Sequence, residues 1–201
     1  MNRVIYFDKI KDRITSSPKG SVFITSDFFD ITSTDNVNKA LSRLMYDNII
    51  RRIIRGVYEY PEYNDFLKEY VASSPDKIAH ALARNYGWTI VPCGDTALNL
   101  LGLSTQVPAV WYYVSDGTYK EYEYDKVKLS FKKTTNKEIS KVSYKTALVI
   151  QALKAFGKEN IDNKFIIKIS SLISNEEKAQ MLTEAKYATA WIYDIIKNIC
   201  M

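Results

Sequence analysis

Apolar residues recur at near-helical spacing close to the start of the chain. Ile5, Phe7, Ile10 and Ile14 form one stripe, which predicts a helix over residues 4–16. Ser17, Pro18, Lys19 and Gly20 then stop it. Val22, Phe23 and Ile24 read as a short strand, and residues 26–30 as a short helix. Thr34 offers a capping oxygen, and Asp35 places a carboxylate where a helix dipole favours it. Val37, Ala40, Leu41 and Leu44 follow at i, i+3, i+4 and i+7, one buried face of a helix that runs to about Asp47. Residues 50–55 and 57–60 are β-prone on either side of Gly56. They read as a hairpin that Pro61 ends.

Beyond that point the pattern is mixed. Residues 62–73 read as a connector, although Tyr63, Phe66, Leu67 and Tyr70 indicate that it packs on something. Ser74, Pro75 and Asp76 supply a cap, a proline at the first helical position and an acid, and the helix they start reaches Tyr86, with Gly87 closing it. A strand over 88–91 and a helix over 95–101 follow. Strands are predicted over 109–115, 119–124 and 126–132, the first two joined as a hairpin at Asp116-Gly117. From Ser143 the chain turns helical, and Ser174 with Glu177 makes a capping-box pattern. The fold class is α+β. An N-terminal winged helix-turn-helix (1–62) and a connector (63–72) lead to a mixed α+β domain with a helical C-terminal tail (73–201).

Composition changes this picture little. Hydrophobic residues make up 46% and charged residues 25% of 201, an ordinary globular balance. The start of the chain lacks the apolar stretch of a signal peptide, and no apolar run is long enough to span a bilayer. The expectation is a cytoplasmic protein that meets no membrane. Cys93, Cys200 and His80 are too scattered for a recognisable zinc site, and no cofactor is implied.

Charge matters more through its distribution. The net charge is +5. Residues 51–55 hold three arginines and no acid, and residues 128–145 hold six lysines against one acid, Glu138. Stepping 100° per residue from Val37 puts Asp35, Asn38, Lys39, Ser42, Arg43 and Tyr46 on the outer face of the third helix. Arg43 has the fork that fits guanine, Asn38 the amide that fits adenine, and Lys39 and Ser42 suit phosphates. The order helix, strand, helix, helix, hairpin is that of a winged helix-turn-helix, whose last helix enters the major groove. Its wing would carry Arg51, Arg52 and Arg55 to the backbone or the minor groove. Two plainer roles compete: Arg52 pairing across the hairpin with Glu59, if Arg55-Gly56 is the turn, and solvation for Arg51 and Arg55. The DNA-contact candidates are therefore Asn38, Lys39, Ser42, Arg43, Tyr46, Arg51, Arg52 and Arg55.

The rest of the chain announces no chemistry. Pro92-Cys93-Gly94-Asp95-Thr96 opens a helix whose amides could hold an anion, but a cap on a buried helix is the better reading. Cys93 reads as a small buried thiol and His80 as a structural histidine. Tyr119, Tyr122 and Tyr124 lie on a strand, where sheet packing competes with base stacking. The lysines of 128–145 are either a second nucleic-acid contact or a solvated face.

The stretch Val37-Asn38-Lys39-Ala40-Leu41-Ser42-Arg43-Leu44, followed by Ile50-Arg51-Arg52-Ile53-Ile54-Arg55-Gly56-Val57-Tyr58, resembles the winged-helix domain of AbiEi-type antitoxins. Residues 92–108, from Pro92-Cys93-Gly94-Asp95 to Pro108, are similar to the second domain of an AbiEi-like family, with Cys93 where a smaller residue is usual. The resemblance covers most of residues 20–135. It implies a transcriptional autorepressor that binds operator DNA through the winged helix. It also implies an antitoxin that neutralises a nucleotidyltransferase toxin through its second domain, and it carries over no catalytic residue. Two other readings stand beside it: a winged helix that binds only protein, and an enzyme that modifies a nucleotide or a protein.

Overall fold

A computed structural model of the chain describes residues 3–134 and 139–201. It is mixed α+β, with helices at the N-terminal end and a helical C-terminal tail, and it divides into two compact units, Met1–Gly87 and Trp88–Met201.

In the first unit, α1 (Arg3–Thr15) buries Ile10 and Ile14. Ile5, read as part of the same stripe, is instead more than half exposed. β1 (Ser21–Ile24) leads into a single 3-10 turn, Thr25–Phe28, where a longer helix over 26–30 was expected. Asp27 explains the short turn: its carboxylate reaches back to accept the Ile24 N–H at 2.9 Å, the local bonding by which such residues favour turns over helix interiors. α2 (Thr34–Tyr46) starts one residue earlier than predicted, with Ser33 at the cap position. It buries Val37, Ala40, Leu41 and Leu44, which pack with Ile10, Ile14, Phe23, Phe28, Ile50 and Tyr58 in one core.

β2 (Arg51–Ile54) and β3 (Val57–Tyr60) form the predicted hairpin, with Gly56 at φ +79° in the turn. β3 also pairs with β1, so the sheet order is β1-β3-β2, antiparallel throughout. The register holds a finding. Ile54 faces Val57, but a bulge between Arg52 and Ile54 slips the rest by one residue, so Arg51, not Arg52, faces Glu59.

Residues 62–73, read as a connector, contain a small hairpin, β4 (Tyr63–Asn64) with β5 (Glu69–Tyr70). Then α3 (Pro75–Tyr86) begins at Ser74, whose side chain accepts from the Lys77 N–H, and ends at Gly87 in the left-handed region. This helix was expected to open the second domain, yet it belongs to the first unit. Lys77 donates to the Gly20 carbonyl at 3.0 Å and Arg84 to the Val22 carbonyl at 3.3 Å, both beside or on β1. Its acceptors lie some 60 residues back, which local pattern cannot foresee.

The second unit holds a four-stranded sheet of β6 (Ile90–Pro92), β7 (Trp111–Ser115), β8 (Lys120–Tyr124) and β9 (Val127–Lys133), in the order β6-β7-β9-β8. β7 and β9 run parallel and β8 pairs only with β9, so the predicted β7–β8 hairpin does not form. The Asp116-Gly117 turn has other partners. Asp116 accepts the Thr89 N–H at 2.8 Å, Ser115 Oγ accepts the Gly117 N–H, and the indole of Trp88 lies where a Gly117 side chain would stand. The tight turn comes instead at Asp125, φ +43°, between β8 and β9.

α4 (Asp95–Leu100) and α5 (Tyr144–Phe156) pack with Val91, Val114 and Ile139 on one side of this sheet. The tail, α6 (Asn163–Ser171), α7 (Asn175–Glu184) and α8 (Ala190–Cys200), makes a second core around Phe165, Ile169, Met181, Ile192, Ile196 and Ile199. The capping box read at Ser174 and Glu177 is present, with both reciprocal bonds formed.

Candidate nucleic-acid interface

The outer face of α2 follows from its inner one. With four apolar side chains buried at helical spacing, Asn38, Lys39, Ser42, Arg43 and Tyr46 must project to the opposite side, and all five are exposed. Tyr46 is 88% exposed. Asn38, Lys39 and Ser42 present amide, ammonium and hydroxyl groups to solvent. Arg43 is less free: its guanidinium lies over the Phe7 ring, 4.3 Å from the centroid, and Nε is 3.9 Å from Asp47 one turn on. Phe7 thus has a second role that the apolar stripe conceals, because α1 and α2 meet only in the folded unit. No signal in the sequence marks that contact.

The hairpin divides its arginines. Arg52 and Arg55 are exposed, and neither has an ion-pair partner among the described residues. Arg51 points inward. Its Nε donates to Glu59 Oε2 at 2.6 Å, and Nη2 donates to Ser73 Oγ at 2.9 Å and to the Val71 carbonyl at 3.0 Å. Ser73 in turn donates to the same Glu59 oxygen at 3.0 Å. The Glu59 side chain is 3% exposed, so this is a buried carboxylate held by one cation and one hydroxyl. The one-residue slip at the bulge has exchanged the roles expected of Arg51 and Arg52: the cross-strand ion pair is Arg51's, and the free guanidinium is Arg52's. Arg51 therefore leaves the set of DNA-contact candidates.

Among the first unit's other cations, Lys19 sits against an aromatic ring. Lys19 is exposed in the loop before β1, its Nζ 3.4 Å from the centre of the Tyr60 ring. Some opposite charges elsewhere in the unit satisfy one another. A cleft of about 550 Å³ is lined by Arg13, Asp27, Asp76, Lys77, His80 and Arg84, among others. Of these, Arg13 forks onto Asp30 at 2.6 and 2.8 Å, Arg84 bonds Asp27 at 3.2 Å, and His80 stands 3.7 Å from Asp76.

In the second unit, burial pushes the Cys93 thiol above its ordinary value against the opposing charge of Lys132, so the reactive thiolate is disfavoured. Tyr124 is buried and Tyr122 packs edge-on against Phe131, whereas Tyr119 is exposed and donates to Glu121 at 2.5 Å. The basic stretch is not one surface of free charge. Lys132 lies over the Tyr112 ring, Lys128 approaches Glu123 at 3.9 Å, and Lys145 donates to the Leu172 carbonyl. Lys137 and Glu138 fall outside the described residues. Trp191 and Tyr193 pack against the tail's core, while Tyr187 is 91% exposed. Among the described residues, no three of His, Cys, Asp and Glu gather so as to hold a metal ion. Among the same residues, no helix is long and apolar enough to cross a membrane.

No curated protein shows a significant match to this chain. A family model does match, over residues 9–181, which takes in nearly all of the first unit and most of the second, short of α8. The chain belongs to that family, DUF6088, a family of unknown function.

Proposed function

We propose that the first unit is a winged helix-turn-helix that binds duplex DNA, with α2 in the major groove and the β2–β3 turn as its wing. The observation that carries the reading is the division of α2. Four apolar residues are buried, while Asn38, Lys39, Ser42, Arg43 and Tyr46 stand together in solvent, and the hairpin that follows in the chain exposes Arg52 and Arg55, unpaired among the described residues. The sheet order β1-β3-β2 supports it, since it leaves β2 as an edge strand of the unit's sheet. Arg43, steadied by Phe7, suits a base edge; Lys39, Ser42, Arg52, Arg55 and Lys19 suit phosphates.

The test is titration of a fluorescent duplex taken from upstream of the chain's own reading frame, at several salt concentrations. Affinity should fall steeply as salt rises, because each neutralised phosphate releases condensed counterions. Absence of binding at low salt would overturn the reading. It would favour the alternative of a winged helix that binds protein, for which the loss of Arg51 to an internal ion pair is the supporting observation.

By its resemblance to AbiEi-type antitoxins, the chain is further proposed to repress its own promoter and to neutralise a nucleotidyltransferase toxin through its second unit. The two roles separate in cells. Full-length chain carrying Arg43→Ala and Arg55→Ala should lose repression yet still restore growth when co-expressed with a nucleotidyltransferase encoded beside it. Loss of both together, in a folded variant, would refute the division.

A further inference from the structure

The segment after the wing does something that its reading as a connector does not explain: it holds apolar side chains out in water. Tyr63, Phe66, Leu67, Tyr70 and Val71 are 46, 92, 58, 50 and 41% exposed. They are not on a loose loop. Tyr63 and Tyr70 face each other across the ladder with rings edge to face at 5.2 Å. Asn64 Oδ1 accepts the N–H groups of both Phe66 and Leu67 at 3.0 Å, and Lys68 closes the turn at φ +57°. The base of the hairpin is tied to the sheet by Arg51, which bonds the Val71 carbonyl and lies over the Tyr70 ring. A turn fixed by an Asx motif, with a non-glycine residue in the left-handed region, presents Phe66 and Leu67 in one set position.

Isolated apolar side chains on a surface need no explanation, but a contiguous fixed patch does. DNA is a poor occupant, because Glu62, Asp65 and Glu69 are exposed around the tip against one base, Lys68. The area points to another copy of the chain. With roughly 150–250 Å² per aromatic side chain, the rings of Tyr63, Phe66 and Tyr70 together with Leu67 leave on the order of 500 Å² open, and two copies face to face remove about 1,000 Å², the lower bound of a specific interface.

We propose that the β4–β5 hairpin is a self-association surface, on which Phe66 and Leu67 of one copy pack against Tyr63 and Tyr70 of a second copy. The proposal does not depend on DNA binding.

The experiment is sedimentation equilibrium of the full chain from low to high micromolar concentration, at low and high salt. The wild-type chain should dimerise reversibly, and the dimer should hold or tighten in high salt, because apolar burial drives it and the acidic rims repel. Phe66→Asp should weaken it at least about tenfold, as loss of a central aromatic anchor does. Phe66→Leu should keep it, and so should Phe29→Asp, which charges a half-exposed residue elsewhere on the unit. Circular dichroism of each variant checks folding. A wild-type chain that stays monomeric at every concentration overturns the proposal. So does a dimer indifferent to Phe66→Asp, or one that salt dissolves.

Discussion

Replacing Arg51 by alanine tests whether that arginine belongs to the architecture or to a ligand-binding surface. The change leaves Glu59 with its side chain 3% exposed and with the Ser73 hydroxyl as its remaining donor at Oε2. Removing one member of a buried ion pair costs about 3–5 kcal/mol, because the other charge stays out of water without its partner. Arg51 is itself 31% exposed, so solvent reaches one side of the pair. With the Ser73 bond retained, the cost should fall to or just below the lower end, about 2–3 kcal/mol. Arg52→Ala, one residue along the strand and exposed, should change stability by less than about 0.5 kcal/mol. The assay is equilibrium urea unfolding followed by circular dichroism, with hydrogen exchange of peptides across 49–62 to localise the effect. Tryptophan emission does not serve, because Trp88, Trp111 and Trp191 all lie in the second unit. The double variant Arg51→Met with Glu59→Leu should recover to within about 1 kcal/mol of wild type, since apolar residues of similar volume replace such pairs at little cost. If Arg51→Ala is as stable as Arg52→Ala, the bulge-shifted register is wrong.

Three further outcomes follow from the same geometry. Arg43→Ala should lose about 1–3 kcal/mol on the preferred duplex and relax its sequence preference, whereas Arg55→Ala should weaken all duplexes evenly and flatten the salt slope; competition titrations with scrambled duplexes separate the two. Glu184 concerns acid stability. Burial works to raise its pKa, but bonds from Thr146, the N–H and hydroxyl of Ser143, and Gln180 outweigh it and hold the carboxyl below its ordinary range. A group depressed in the folded state stabilises above its unfolded pKa and loses that contribution as pH falls through the folded value. Glu184→Gln should therefore cost about 1 kcal/mol at neutral pH after solvent screening, with the gap closing in acid, as thermal melts against pH will read. Gly117→Ala drives a methyl into the Trp88 indole; it should cost about 1–3 kcal/mol and alter Trp88 emission, and a silent substitution would mean that the β7 turn lies elsewhere.

What the sequence by itself determined is what depends on neighbours within a turn or two of helix. The face of α2 was legible because Val37, Ala40, Leu41 and Leu44 repeat every 3.6 residues, and burying them leaves Asn38, Lys39, Ser42, Arg43 and Tyr46 outside whatever the rest of the chain does. The caps at Ser74 and Ser174 were legible for the same reason: donor and acceptor are three residues apart. Tertiary structure decided everything that turned on a choice between distant partners. A single extra residue at the β2 bulge chose Arg51 over Arg52 for Glu59, since sliding a strand by one position swaps every side chain to the other face. Asp116 and Gly117 have the composition of a hairpin turn, but Thr89 and Trp88 claimed them, and β9 slid between β7 and β8. The helix at 75–86 was read correctly as a helix, but its acceptors on Gly20 and Val22 assigned it to the first unit. The display of Phe66 and Leu67 was half local, through Asn64 two and three residues back, and half distant, through Arg51 at the base of the hairpin. Their apolar character suggested burial, and only the Asx turn of Asn64 and the anchoring of Tyr70 and Val71 by Arg51 hold them in water. Local periodicity reports which way a side chain faces along its own element; what lies opposite is set by contacts tens of residues away, which no short window contains.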